Sequence, residues 1–313
     1  MKKGIRGKIA VLSCLLLALT RVGWAAESPQ GAVEETVLDE VVVSAVHLDK
    51  YLVTTTVITD KDIEAKGARN LSEVLEDVPG LNLHAGKKGN TSLEIRGATS
   101  SDVKIYVDGI LMNPLVKMTN TSTIDISMIP VDNIAKIEII KGPAPVIYGT
   151  DAKGGVIVIT TKNGNDYKGG QVNLAYGNWS SVNGGASIGG GDKKYNYYFD
   201  VGTMHTNGYM NYKNDEQYIN AKLKWTFANN SQLTFTGNYS TTDKDCQNAI
   251  DPNTGNIISY KSGFWPALNY WQYRDWNKLN LALDYVQRAN KKLDYDVKFY
   301  YQSEDQGLWA NGA

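Results

Sequence analysis

Cysteine is nearly absent from this 313-residue chain, which has only Cys14 and Cys246. Cys14 lies in an apolar leader, so once the leader is removed Cys246 stands alone and no internal disulfide can form. Histidine is scarce as well. His47, His84 and His205 are scattered and make no metal-ligand cluster, so no metal is expected. No stretch reaches 18 consecutive apolar residues, which excludes a membrane-spanning helix. If this chain enters a bilayer it must do so through β-strands closed into a barrel. Excess positive charge is missing too: the formal net charge is −1, and nothing argues for nucleic-acid binding. The glycine-containing stretch from Gly142 to Gly155 lacks the Gly-Lys-Ser/Thr ending of a phosphate-binding loop. No serine or cysteine nucleophile motif appears. These absences argue against an enzyme and imply no cofactor. The run from Asp251 to Asn256 (DPNTGN) places oxygens at calcium-like spacing but has no distal glutamate, and reads as a turn.

What is present is unevenly distributed. Of 19 tyrosines, 16 follow residue 166, together with six of the seven tryptophans. Residues 1–25 read as a signal peptide: Lys2, Lys3, Arg6 and Lys8 precede a short apolar run, and Gly23 and Ala25 supply small residues at a cleavage site. Removing them takes five basic residues and no acidic one. The exported chain keeps 27 basic against 33 acidic residues, a net charge of −6. Residues 26–48 read as a flexible leader carrying one β-prone run, Leu38 to Ala45 (LDEVVVSA). Such a run can add a strand to another protein's sheet edge, and equally it can open the next domain.

Residues 49–163 read as one compact α+β domain. Thr54 to Ile58 is a strand. Thr59 with Asp62 forms a capping box, and Gly67 ends that short helix. Asn70 with Glu73 caps a second helix. Its buried face is Leu71, Val74, Leu75 and Val78, and Pro79-Gly80 stops it. Strands are expected at 93–96, 104–112, 136–141 and 155–162.

From residue 166 the pattern changes to strict alternation. Ile219, Ala221, Leu223, Trp225 and Phe227 alternate with Tyr218, Asn220, Lys222, Lys224 and Thr226. Tyr295, Val297, Phe299 and Tyr301 alternate with Asp294, Asp296, Lys298 and Gln302. Seven such strands are predicted in 166–313, with loops at 207–216 and 244–276. Period two also suits a soluble sandwich. Three features favour a membrane barrel: strands of about ten residues, aromatics near strand ends, and short turns alternating with long loops.

Seven segments then carry a resemblance. The first five are LDEVVVSA at 38–45, NLSEVLEDVPGLN at 70–82, LEIRG at 93–97, IYVDGI at 105–110 and IAKIEIIKGP at 134–143. Tyr148-Gly149 and GGVIVITTK at 154–162 follow in order. Together they resemble the TonB-dependent receptors, specifically up to residue 162 and generically after it. Two departures stand out: Lys136 and Val158 occupy positions where the family usually has arginine and asparagine. Lysine keeps the charge at 136 but loses the bidentate fork.

The resemblance implies an α+β plug followed by the first seven antiparallel strands of an incomplete transmembrane β-barrel. It implies active uptake across the outer membrane of a scarce extracellular ligand, such as a ferric siderophore, cobalamin or another metal chelate. The energy would come from TonB with ExbB and ExbD, and the barrel would contact outer-membrane lipid. Asp39, Glu40, Val41, Val42 and Val43 would then bind TonB. Arg96, Glu138 and Lys141 would lock the plug to the barrel. Lys87, Lys88, Asn90 and Asn113 on plug loops, with Tyr260 and Trp265 on the long loop, would meet the ligand. Family barrels have about 22 strands, so this chain reads as the N-terminal part of one. A passive porin or structural outer-membrane barrel is the alternative. About 12 residues before the TonB-like run are too few for an added signalling domain.

Overall fold

The computed structural model describes residues 55–85, 91–113, 124–144, 148, 152–208, 213–228, 231–245, 268–290 and 293–312. The expected signal peptide and TonB-contacting run lie outside the described residues.

The first half builds around a five-stranded sheet in the order β1-β6-β7-β4-β5. Its strands are β1 (Thr55–Thr59), β4 (Val103–Val107), β5 (Ile110–Leu111), β6 (Ile134–Lys141) and β7 (Gly155–Thr161). Only the β4–β7 pair is parallel. A separate hairpin joins β2 (Leu81–Ala85) to β3 (Thr91–Ile95). Two short helices, α1 (Asp60–Lys66) and α2 (Leu71–Leu75), cover one face. The Thr59 side chain accepts from Asp62 N while the Asp62 carboxylate accepts from Thr59 N at 2.8 Å, so the first turn's free amides are satisfied locally. Gly67 ends the helix at φ 65°, where a side chain would be strained. Asn70 caps α2 on Glu73 N.

The core holds Leu71, Leu75, Ile95, Ile105, Ile126, Ile137, Ile139, Ile157 and Ile159, each nearly inaccessible. Burying each such side chain stabilises the fold by roughly 1.5–3 kcal/mol before entropy is counted. Ile140 and Val156 point to the opposite face, against Tyr148 and Ala152. The sheet is therefore covered on both sides, and β7 reads as a nearly continuous apolar run, not an alternating one.

The second half is a seven-stranded antiparallel meander, ordered β8 to β14 without crossovers. It comprises β8 (Gly169–Gly177), β9 (Ser181–Gly191), β10 (Tyr195–Thr206), β11 (Asn214–Thr226), β12 (Gln232–Asp245), β13 (Leu268–Asn290) and β14 (Leu293–Gly312). The sheet is not closed: β8 and β14 are its two ends. Its faces are inverted relative to a soluble sheet. Phe199, Ile219, Trp225 and Phe299 stand exposed on the outside, Phe299 at 70%. Asn196, Asp200, Glu216, Tyr218, Asn220 and Lys244 are buried on the inside, against the first domain. An apolar outside and a polar inside are what a barrel wall in lipid requires. Among the described residues no helix is long and apolar enough to cross a membrane.

Three sequence expectations needed correction. The strand expected at 104–112 is a hairpin, because Asp108 (φ 47°) and Gly109 (φ 78°) form a two-residue left-handed turn between β4 and β5. The β2 strand was not anticipated. The loop expected at 244–276 ends earlier, since β13 begins at Leu268 and carries Tyr273 and Trp276 as strand residues. A register shift between Arg274 and Asn277, with Asp275 at φ 50°, breaks the alternation there and hides the strand from a period-two count.

Candidate functional site

The site this structure presents is the seam where the first domain meets the inner face of the strands. Three aspartates of the first domain carry it. Asp108 sits at the tip of the β4–β5 hairpin. Its carboxylate accepts from Lys222 Nζ of β11 at 3.1 Å and from Thr161 N and Oγ1 at 3.0 and 2.5 Å. Its backbone carbonyl accepts from Lys298 Nζ of β14 at 3.0 Å. Burial pushes the Asp108 carboxyl up, but Lys222 and the Thr161 bonds outweigh it and hold the group below its ordinary value.

Asp125 makes the most deeply buried contact. Lys244 Nζ of β12 donates to it at 2.6 Å, and the two side chains are 0% and 2% exposed. The other carboxylate oxygen accepts from Thr91 N at 2.9 Å, Ser127 N at 3.1 Å and Ser127 Oγ at 2.7 Å. A charge pair this dry persists only because nearly every donor and acceptor has a partner. Beside it Met128 packs on Tyr273 and Trp276 of β13, whose ring centroids lie 4.9 Å apart. Asp132 accepts from Tyr218 Oη of β11 and from Asn173 Nδ2 of β8, the latter at 2.7 Å. Leu111 O of β5 accepts from Gln302 Nε2 of β14 at 3.0 Å. Where α1 faces β8–β10 the seam is looser, and a cavity of about 310 Å³ lies among Glu64, Arg69, Lys162, Asn173 and Asp200.

Arg96, Glu138 and Lys141, expected to lock the plug to the barrel, make bonds within the first domain. Arg96, at φ 50°, donates from Nη1 to Lys141 O at 3.1 Å, and Lys141 Nζ donates to Pro79 O at 2.7 Å. Glu138 is 8% exposed and pairs with Lys136 at 3.4 Å. These bonds staple the first domain to itself. Asn113 is buried, with its amide bonded to Ile105 N at 2.8 Å and Val103 O at 3.0 Å, so it braces β4. Asp39 to Val43, Lys87, Lys88, Asn90, Tyr260 and Trp265 lie outside the described residues. Sequence reading passed over Asp108, Asp125 and Asp132. Two signals were available: Asp108 stands inside the IYVDGI segment, and Lys222 and Lys298 fall at polar positions of alternating strands.

Residues 48–156 match the family model described as TonB-dependent Receptor Plug Domain. The chain is 37% identical over 145 residues to the vitamin B12 transporter BtuB of Vibrio vulnificus, a match covering 44% of this chain and 23% of that protein. It therefore spans about a quarter of the relative's length. Among solved structures, the FrpB iron transporter from Neisseria meningitidis superimposes with a TM-score of 0.65 at 16% identity, covering 81% of this chain and 41% of that one. The siderophore receptor PirA from Acinetobacter baumannii gives 0.63 at 18% identity, over 83% and 44%. At such identities these structures establish the fold alone.

Proposed function

We propose, for a chain that belongs to the TonB-dependent receptors of the outer membrane, that it supplies the plug and the first part of the wall of an active transporter, not of an enzyme. The observation that carries this reading is a compact plug held on the polar inner face of a wall that is apolar outside. A passive channel has no use for a plug held by buried ion pairs, since such a plug blocks its lumen. A plug held by a few charged contacts is instead suited to release on demand. Directional force breaks such contacts one after another, whereas the isoleucine core between β6 and β7 must come apart cooperatively.

The ligand is a scarce, bulky solute such as cobalamin or a ferric siderophore. The identity to a vitamin B12 transporter favours cobalamin. TonB, with ExbB and ExbD behind it, engages the Asp39–Val43 run by strand addition. The domain reading that follows is signal peptide 1–25, leader 26–48, plug 49–163 and wall 166–313. Arg96, Glu138 and Lys141 brace the plug internally, and the wall is gripped by Asp108, Asp125 and Asp132. Uptake of labelled cyanocobalamin and of ferric siderophores, by cells with and without the intact gene and with and without TonB, tests the proposal. Gene-dependent uptake that stops without TonB is expected. Uptake of equal rate without TonB would return the passive barrel to favour.

A further inference from the structure

The inner face of the wall carries one row of side chains that the family reading does not use. Asp200, Asn220, Asn238, Asn280 and Gln302 stand directly opposite one another on β10, β11, β12, β13 and β14. Each is hydrogen-bonded to the next. Asn220 Nδ2 donates to Asp200 Oδ2 at 2.8 Å, and Asn238 Nδ2 donates to Asn220 Oδ1. Asn280 Nδ2 donates to Asn238 Oδ1 at 3.1 Å, and Gln302 Nε2 donates to Asn280 Oδ1 at 3.2 Å. The same Gln302 nitrogen also donates to Leu111 O at the base of the plug hairpin.

The direction of this row is forced from both ends. A carboxyl oxygen that carries no proton and a backbone carbonyl can only accept. Asp200 therefore obliges Asn220 to present its nitrogen, which turns the Asn220 oxygen toward Asn238, and so on along the row. Leu111 O obliges Gln302 to present nitrogen as well. The two requirements agree, so no amide in the row is free to flip. Amides donating in one direction polarise one another and strengthen the chain. The one glutamine stands where the row meets the plug, and its extra methylene lets one nitrogen reach both Asn280 and Leu111. Among the described residues, the side-chain hydrogen bonds of Asn238 and Asn280 stay within the row.

We propose that Asp200, Asn220, Asn238 and Asn280 are positioning residues for the plug: they fix the Gln302 amide that holds the β4–β5 hairpin, so the hairpin is set by a carboxylate four strands away. At the spacing of neighbouring strands that separation is about 19 Å. The inference rests on reading β8–β14 as the wall around the plug. It does not depend on any ligand or on TonB.

Hydrogen–deuterium exchange of the full protein in detergent tests it, comparing segment 105–113 with segment 134–141. Asp200→Leu removes the acceptor at the end of the row, and Asn238→Leu cuts the row in the middle. Both are expected to speed exchange in 105–113 by about threefold to tenfold, the loss of one modest hydrogen bond, and to leave 134–141 unchanged. Thr236→Val, a near-isosteric change on the same strand outside the row, serves as control and leaves both segments unchanged. Heat-modifiable migration reports that the wall is folded. Unchanged exchange at 105–113 in Asp200→Leu overturns the proposal, as does equal acceleration by Thr236→Val or acceleration spread over both segments. Because no substrate is present, a failure here is distinct from a failure of cobalamin or siderophore uptake.

Discussion

Replacing Lys244 by methionine removes the ammonium from the driest plug–wall contact while keeping most of the side chain's volume. The lysine is 0% exposed and its partner Asp125 2% exposed, so solvent screens neither charge. Breaking a buried pair by deleting one member costs about 3–5 kcal/mol, because the other charge stays buried. Asp125 keeps bonds from Thr91 N, Ser127 N and Ser127 Oγ, which places Lys244→Met near the lower end. A loss of about 3 kcal/mol raises the open-plug population roughly a hundredfold. Asp125→Asn replaces the carboxylate beside the ammonium with a neutral amide, with Ser127 Oγ still accepting at 3.0 Å, and is expected to cost a comparable amount. Asp125→Asn combined with Lys244→Met removes both charges of the pair, keeps an amide oxygen for Thr91 N and Ser127 N, and is expected to be less damaging than the two single changes summed. The assay is hydrogen exchange of the β6 and β7 amides in the full protein under mild urea, with wall integrity followed by heat-modifiable migration. The reasoning is refuted if Lys244→Met moves plug opening by less than about threefold, or if the double variant is as damaging as the sum of the singles.

Three further outcomes follow from named contacts. The Asp108 carboxyl is held below its ordinary value, so its contribution to plug seating is complete above the normal carboxylate range and is lost as pH falls through the lowered value. Plug release measured against pH therefore rises below about pH 4, and Asp108→Asn flattens that rise. Gly109→Val places a branched side chain at φ 78°, where a Cβ would fall 2.5 Å from Lys298 Nζ. A loss of roughly 1–2 kcal/mol of plug stability is expected from the backbone alone, with faster exchange of the hairpin. Val42→Pro removes a backbone donor from the proposed TonB-pairing run and abolishes energised uptake without altering ligand binding at the cell surface. Uptake retained in Val42→Pro cells would refute strand addition.

The local elements of the plug were legible in its residues. The Thr59–Asp62 box, Gly67, the Asn70 cap and the Leu71/Val74/Leu75 face all act within four residues of one another, and the chain folds them as read. The seven wall strands were legible for the same reason, since alternation is a local property of two faces with different solvents. Reading stopped where one residue broke the local rule. The turn at Asp108 divided a predicted strand, and the irregularity at Asp275 concealed the start of β13.

The lock is a different matter. Arg96, Glu138 and Lys141 drew attention as charges inside a motif, and their bonds turned inward to Lys141 O, Lys136 and Pro79 O. The residues that do cross the seam are separated by 41 to 191 positions, from Asp132 with Asn173 to Leu111 with Gln302. No period or spacing links an aspartate in a turn to a lysine three strands into a meander. The amide row shows the same division. Its members are individually ordinary polar residues of alternating strands, and the register of four hairpins is what brings them opposite one another. Sequence by itself therefore determined which segments form plug and wall and which face of each strand is polar, because those follow from neighbours along the chain. Only the tertiary structure decided which charges meet across the seam and in which direction the amides point, because those depend on strand register and on where the plug comes to rest.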